Sequence, residues 1–138
     1  MRIHAGGLKD SDGVIFPTVP TGLYKCRISS VKLGETSEKA KYPGSPMLLL
    51  QAKVIAGEEH ADHTFLFNVI LPSDNATEEY NSKAVARLKR LAIACGIEID
   101  SDDFDTEDLM GSNLILDVSQ QTKDGKPFNS VDDQLPMD

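Results

Sequence analysis

The stretch KAKYPGSPMLLLQAKV, residues 39 to 54, sets two lysines, a tyrosine and a Pro-Gly bend directly ahead of an apolar run. Ammonium groups neutralise phosphates and a flat ring stacks on a base, so the grouping points to holding a nucleic-acid strand rather than to making bonds. Lysine suits sequence-blind neutralisation because it is a rotating point charge without a fixed fork of donors. Lys39 and Lys41 are the phosphate candidates. Tyr42 is the stacking candidate, since it falls on a polar loop outside any alternating core pattern. The alternatives are a solvated loop and a tyrosine folded back over the rim of the fold.

Further cations of the same kind are Lys25, Arg27 and Lys53, which alternation turns away from the apolar faces of two neighbouring strands. Lys123 and Lys126 flank a tight turn able to clamp a strand. The chain has no Trp, so stacking must use Tyr or Phe. Phe65 and Phe67 share one face of a strand, Leu66 and Ile70 the other; either face can be the core, and the phenylalanines are core or stacking platform accordingly. Phe128 reads as core. Lys83, Arg87 and Arg90 recur at helical spacing opposite an apolar stripe and read as intramolecular or solvated charges.

Other chemistries find no support. There is no Gly-rich loop ending in Lys-Ser/Thr, no GxSxG elbow and no HExxH, so no catalysis is expected. Counted from Asp100, a calcium loop would need Gly sixth and Glu twelfth, but Asp105 and Gly111 stand there. His60 and His63 lack the further ligands of a zinc site. No metal or cofactor is expected. Cys26 and Cys95 fall in a strand and a helix and read as small buried thiols in a reducing compartment.

The formal charge of −8 argues against nucleic acid until its distribution is considered. Residues 1–96 carry 12 Lys/Arg and 10 Asp/Glu, whereas residues 97–138 carry 2 and 12. Residues 23–55 alone hold six basic side chains against Glu35 and Glu38. Binding follows local potential more than the total. A protein imitating the charge of DNA would spread its acid instead.

The elements that must position these groups follow from periodicity. GLYKCRISSVKL (22–33) alternates over its first half, with Tyr24, Cys26 and Ile28 on one face; PMLLLQAKVIAG (46–57) and HTFLFNVIL (63–71) read as a hairpin. NSKAVARLKRLAIACG changes to a 3.6-residue stripe of Ala84, Val85, Leu88, Leu91, Ala92 and Cys95, capped by Asn81 or Thr77 and ended by Gly96. DTEDLMG (105–111) reads as one further helical turn, NLILDVSQQ (113–121) as a strand and PFNSV (127–131) as its partner across Asp124-Gly125. The expected fold is all-β with one main helix: an OB-fold, the five-stranded partly open Greek-key barrel, with the helix between strands 3 and 4.

PTGLYKCRISSVKL, GSPMLLLQAKVIAG, the helix ending ACG and LMGSNLILDVSQQTKDGKPFNSV together resemble a family of phage-encoded single-stranded DNA-binding proteins, over roughly residues 20 to 131. The resemblance implies an OB-fold that coats single-stranded DNA during phage replication or recombination in the cytoplasm of an infected bacterium. It also implies an acidic C-terminus that recruits replication or recombination proteins. Such tails often finish with an aromatic residue, and this one ends Leu135-Pro136-Met137-Asp138. The expected organisation is an N-terminal arm over 1–20, the DNA-binding domain over 21–131 and an acidic mobile tail over 132–138. Asp132, Asp133 and Asp138 are the partner-binding candidates. No membrane contact is expected, and self-association is left open. The runner-up reading is a phage adaptor or virion-associated β-barrel that binds protein through its acidic surface.

Overall fold

The computed structural model describes residues 1–10 and 18–137. Five strands form one antiparallel sheet: β1 (Gly22–Glu35), β2 (Pro46–Val54), β3 (Thr64–Ile70), β4 (Asn113–Lys123) and β5 (Lys126–Leu135). Their order is β3-β2-β1-β4-β5, so the long β1 is shared between two hairpin-like halves. The helix α1 (Glu78–Ala94) lies between β3 and β4 in sequence and packs against both edge strands, β3 and β5. This is the expected OB-fold arrangement. The sheet stops short of a closed barrel, because no hydrogen-bonded ladder joins β3 to β5 among the described residues.

The inward faces of β1–β4 supply the core, with Cys26 and Ile28 from β1, Leu48 and Leu50 from β2, Phe65 from β3, and Leu114, Leu116 and Val118 from β4, while β5 adds only the partly buried Val131. Leu91 of α1 and Leu109 of the 3-10 turn Thr106–Leu109 complete it. Burying each such leucine contributes about 1.5–3 kcal/mol.

β1 does not alternate along its whole length. Its pairing with β2 shifts register between Ile28 and Ser30, leaving Ser29 as the extra residue of a bulge. Beyond the bulge the phase reverses: Val31 stands opposite the buried Leu50, and Lys32 opposite the outward Leu49.

α1 starts before the expected apolar stripe. Thr77 is its N-cap, the side chain accepting from the Tyr80 N–H at 3.2 Å, with Glu78 and Glu79 in the first turn. Asn81, the other cap candidate, instead exchanges two hydrogen bonds with the backbone of Ser73, each 2.9 Å. The helix ends in a Schellman motif: Ile97 N–H bonds the Ala92 carbonyl, Gly96 N–H bonds that of Ile93, and Gly96 takes φ 75°. Val85, expected on the buried stripe, is exposed.

β5 extends four residues past the expected Val131, so residues 132–135 belong to the sheet and not to a mobile tail. At the other end, Val19 is buried, its N–H and carbonyl both held by the Asn129 side chain. Residues 18–20 are thus docked, while residues 1–10 are exposed. Residues 11–17 of the expected arm, and Asp138, lie outside the described residues.

Candidate functional site

The outward face of β1, β2 and β3 gathers three of the cations picked out by sequence, Lys25, Arg27 and Lys53. Arg27 and Lys53 are direct cross-strand partners there. The next rows along the face are Ser30–Gln51–Leu66 and Lys32–Leu49–Asn68. These two rows line a groove of about 370 Å³. Its floor is aliphatic, with Leu49 and Leu66 exposed, and its walls are amide, hydroxyl and ammonium. Lys53 and Leu49 are four residues apart on one strand face, so the Arg27–Lys53 pair and the Lys32 row are separated by about 13 Å along the groove. Arg27 Nε donates to Asn113 Oδ1 at 3.1 Å, and neither it nor Lys32 nor Lys53 forms an ion pair with a described residue. Lys25 shares the face but is bound to Glu58 at 3.7 Å.

The β1–β2 loop is built rather than slack. Ser45 is fully buried; its hydroxyl donates to the Tyr42 carbonyl at 2.7 Å, its N–H to Thr36 Oγ1 at 2.9 Å, and that hydroxyl donates to the Tyr42 carbonyl at 2.8 Å. Gly44 turns at φ 72°, in the left-handed region glycine tolerates. The network swings Tyr42 onto the start of α1, where its ring meets Tyr80 edge-on at 4.6 Å. Lys41 Nζ hangs 5.7 Å from the centre of the Tyr42 ring. Tyr42 is therefore the tyrosine folded over the rim, and a ring engaged on these sides is not a free stacking platform. Lys39 and Lys41 remain exposed and without an ion pair among the described residues.

Lys123 and Lys126 face each other across the Asp124-Gly125 turn, whose φ values of 54° and 77° mark a primed hairpin. Residues 120–128 are exposed throughout, so the lysines cap a ribbon that stands off the sheet. Phe65 is a correction: it is 2% exposed, packed against Tyr24 at 5.3 Å and His63 at 4.7 Å, and offers no face to a base. Phe67 also turns inward, opposite Leu50, and is half-buried. Phe128, expected in the core, is instead 40% exposed on the ribbon.

The acidic candidates also rearrange. Asp133 accepts from Arg90 Nε at 2.7 Å and Nη2 at 2.5 Å, and that bonding holds its carboxyl below the usual value. A carboxylate held this way is not free to recruit a partner. Asp132 is exposed and accepts from the Ser130 hydroxyl at 3.0 Å. The free acid lies elsewhere, on the α1–β4 connection: Glu98, Asp100, Asp102, Asp103, Asp105, Glu107 and Asp108 are all exposed. Burial pushes the Cys26 thiol up to about 12 and that of Cys95 up to about 11, which keeps both as poor nucleophiles.

Alternation along β2 sets Gln51 beside Lys53, but sequence reasoning missed Lys32, Leu49 and Asn68 as parts of this face. The Ser29-Ser30 pair in mid-strand was the one local sign of the bulge that brings Lys32 there.

No helix of the described residues is long and apolar enough to cross a membrane. Residues 7–138 match the model of the family described as "Protein of unknown function (DUF669)". No curated protein matches the chain.

Proposed function

The chain belongs to the DUF669 family, and we propose that it binds single-stranded DNA, without marked sequence preference, along the outward face of β1–β3. The observation that carries the reading is the Arg27–Lys53 pair. Like charges directly opposite on a sheet are destabilising. Here they stand in line with Lys32 beside an apolar-floored groove. A phosphate placed between them removes the repulsion, and a base beside it covers Leu49 and Leu66.

Lys39 and Lys41 on the β1–β2 loop and Lys123 and Lys126 on the β4–β5 ribbon extend the phosphate track, as loops do in this barrel class. Point charges and an aliphatic floor carry little base-edge information, which accounts for sequence tolerance. Acid elsewhere on the molecule repels DNA and confines it to this face. The protein acts as a binder, without catalysis, metal or cofactor. Coating and protecting single strands in phage replication or recombination, within an infected bacterial cell, is the role that the sequence resemblance supports. Recruitment of replication or recombination proteins then falls to the exposed carboxylates between Glu98 and Asp108 rather than to Asp133.

The test is a polarisation titration of labelled single strands, duplex and RNA across a salt series. Single strands bind in preference, and affinity falls as salt rises because counterions are released. Equal affinity for duplex, or no binding, overturns the proposal.

A further inference from the structure

The seam between β3 and β5 is the one place where the sheet leaves two edges facing each other. A cavity of about 270 Å³ lies in it, lined by His63, Thr64 and Leu66 on one side and by Pro127, Phe128, Asn129 and the adjoining Thr18 on the other, over Phe65. Leu66 also lines the groove on the outward face, so the two spaces border the same residue.

The ladder phase determines what the seam offers chemically. Val54 N–H bonds the His63 carbonyl at 2.9 Å and Leu71 N–H bonds that of Pro46 at 2.9 Å. Odd-numbered residues of β3 therefore turn their backbone toward β2, and Thr64, Leu66 and Asn68 turn theirs toward the seam. On the ribbon, the two-residue turn makes Lys123 and Lys126 the closing hydrogen-bonded pair. Phe128 then bonds across to β4, while Pro127 and Asn129 face the seam, a position where Pro127 forfeits nothing by lacking an N–H. No described residue pairs β3 with β5, so the seam-facing peptide donors and acceptors of both walls have no ladder partner among the described residues.

Beside them is Phe128, the one large apolar side chain on an otherwise polar ribbon tip, 40% exposed. Across the cavity is His63, half-buried, its ring edge-on to Phe65. Burial and then the neighbouring His60 lower His63 below the ordinary imidazole value, so it is neutral at pH 7 and brings no charge into the pocket.

We infer that the β3–β5 seam is a nucleobase subsite, with Phe128 as the stacking ring and the seam-facing peptide groups of Leu66 and Asn129 meeting the base edge. An apolar ligand would leave those peptide groups unpaired, and a bare phosphate would meet a ring and not a cation. A base has both the flat face and the hydrogen-bonding edge. The subsite rests on the single-strand reading above and supplies what the outward groove lacks, an aromatic surface.

Because the chain contains no Trp, Phe128→Trp gives a single reporter in the full-length protein. Emission is quenched on titration with oligo-dT, and an abasic oligomer of equal length leaves it unchanged. Phe128→Ala weakens oligo-dT binding about 5- to 150-fold and leaves abasic affinity unaltered. Unchanged emission at saturation, or undiminished oligo-dT affinity in the Ala variant, overturns the subsite while the groove reading stands. Failure of the unsubstituted protein to bind oligo-dT in polarisation overturns the groove reading and the subsite together.

Discussion

Arg27 and Lys53 stand opposite one another on adjacent strands with no carboxylate paired to either among the described residues. Folding gains nothing from that juxtaposition. The proposed DNA face would need such a pair, and its cost to folding has a sign that can be measured.

Lys53→Gln removes the repulsion and keeps a polar side chain only one atom shorter. Urea denaturation then shows a gain of roughly 0.2–1 kcal/mol. The same substitution weakens single-strand binding and flattens the log K against log salt plot by about 0.7. A variant that is less stable and binds as before would remove this pair from the DNA face.

Asp133→Asn tests the clasp between the last strand and α1. The folded-state carboxyl is depressed by Arg90, so its contribution is present above the ordinary carboxylate pKa and is lost as pH falls through the lowered folded value. Thermal melts show a lower Tm for the Asn variant at pH 7, and the difference closes as the pH drops below about 4. A pH-independent difference would mean that the ion pair is not its source. Truncation after Val131 is more damaging, because it also deletes the strand pairs Ile115–Leu135 and Leu116–Gln134.

Tyr42→Ala distinguishes a packed ring from a stacking one. The ring covers the start of α1 through Tyr80, so its loss lowers Tm and leaves single-strand affinity within about twofold, well under the 1–3 kcal/mol of a base-stacking aromatic. Tyr42→Phe behaves like the parent in both measurements, since the hydroxyl contact to Thr77 is 3.5 Å long. A drop in affinity with unchanged Tm would restore Tyr42 as a stacking platform.

Element identity was legible in the sequence because periodicity and punctuation agree: alternation in Tyr24–Ile28, the 3.6-residue stripe through Leu91, the Gly96 stop, the Asp124-Gly125 turn. The site was legible only in part. Simple alternation places Lys32 with the core residues, and only the extra residue at Ser29 turns it outward beside Leu49. Tyr42 has the composition of an exposed loop residue, yet contacts 35 residues and more away in sequence, at Thr77 and Tyr80, decide where its ring goes. Asp133 looks like tail acid because its partner, Arg90, is 43 residues distant. Phe128 looks like core because apolar aromatics usually are, and nothing local reveals that the ribbon leaves the sheet before reaching it. Each miss is a long-range contact or a shift of phase.

A sheet that ends one ladder short of closure invites its neighbours. Bare strand borders template the addition of foreign strands, which is how β proteins become sticky at high concentration. The ribbon carries its own deterrents: Pro127 cannot donate to an incoming strand, and Lys123 and Lys126 make docking two ribbon tips electrostatically unfavourable. These three residues thus disfavour self-association through the open edge.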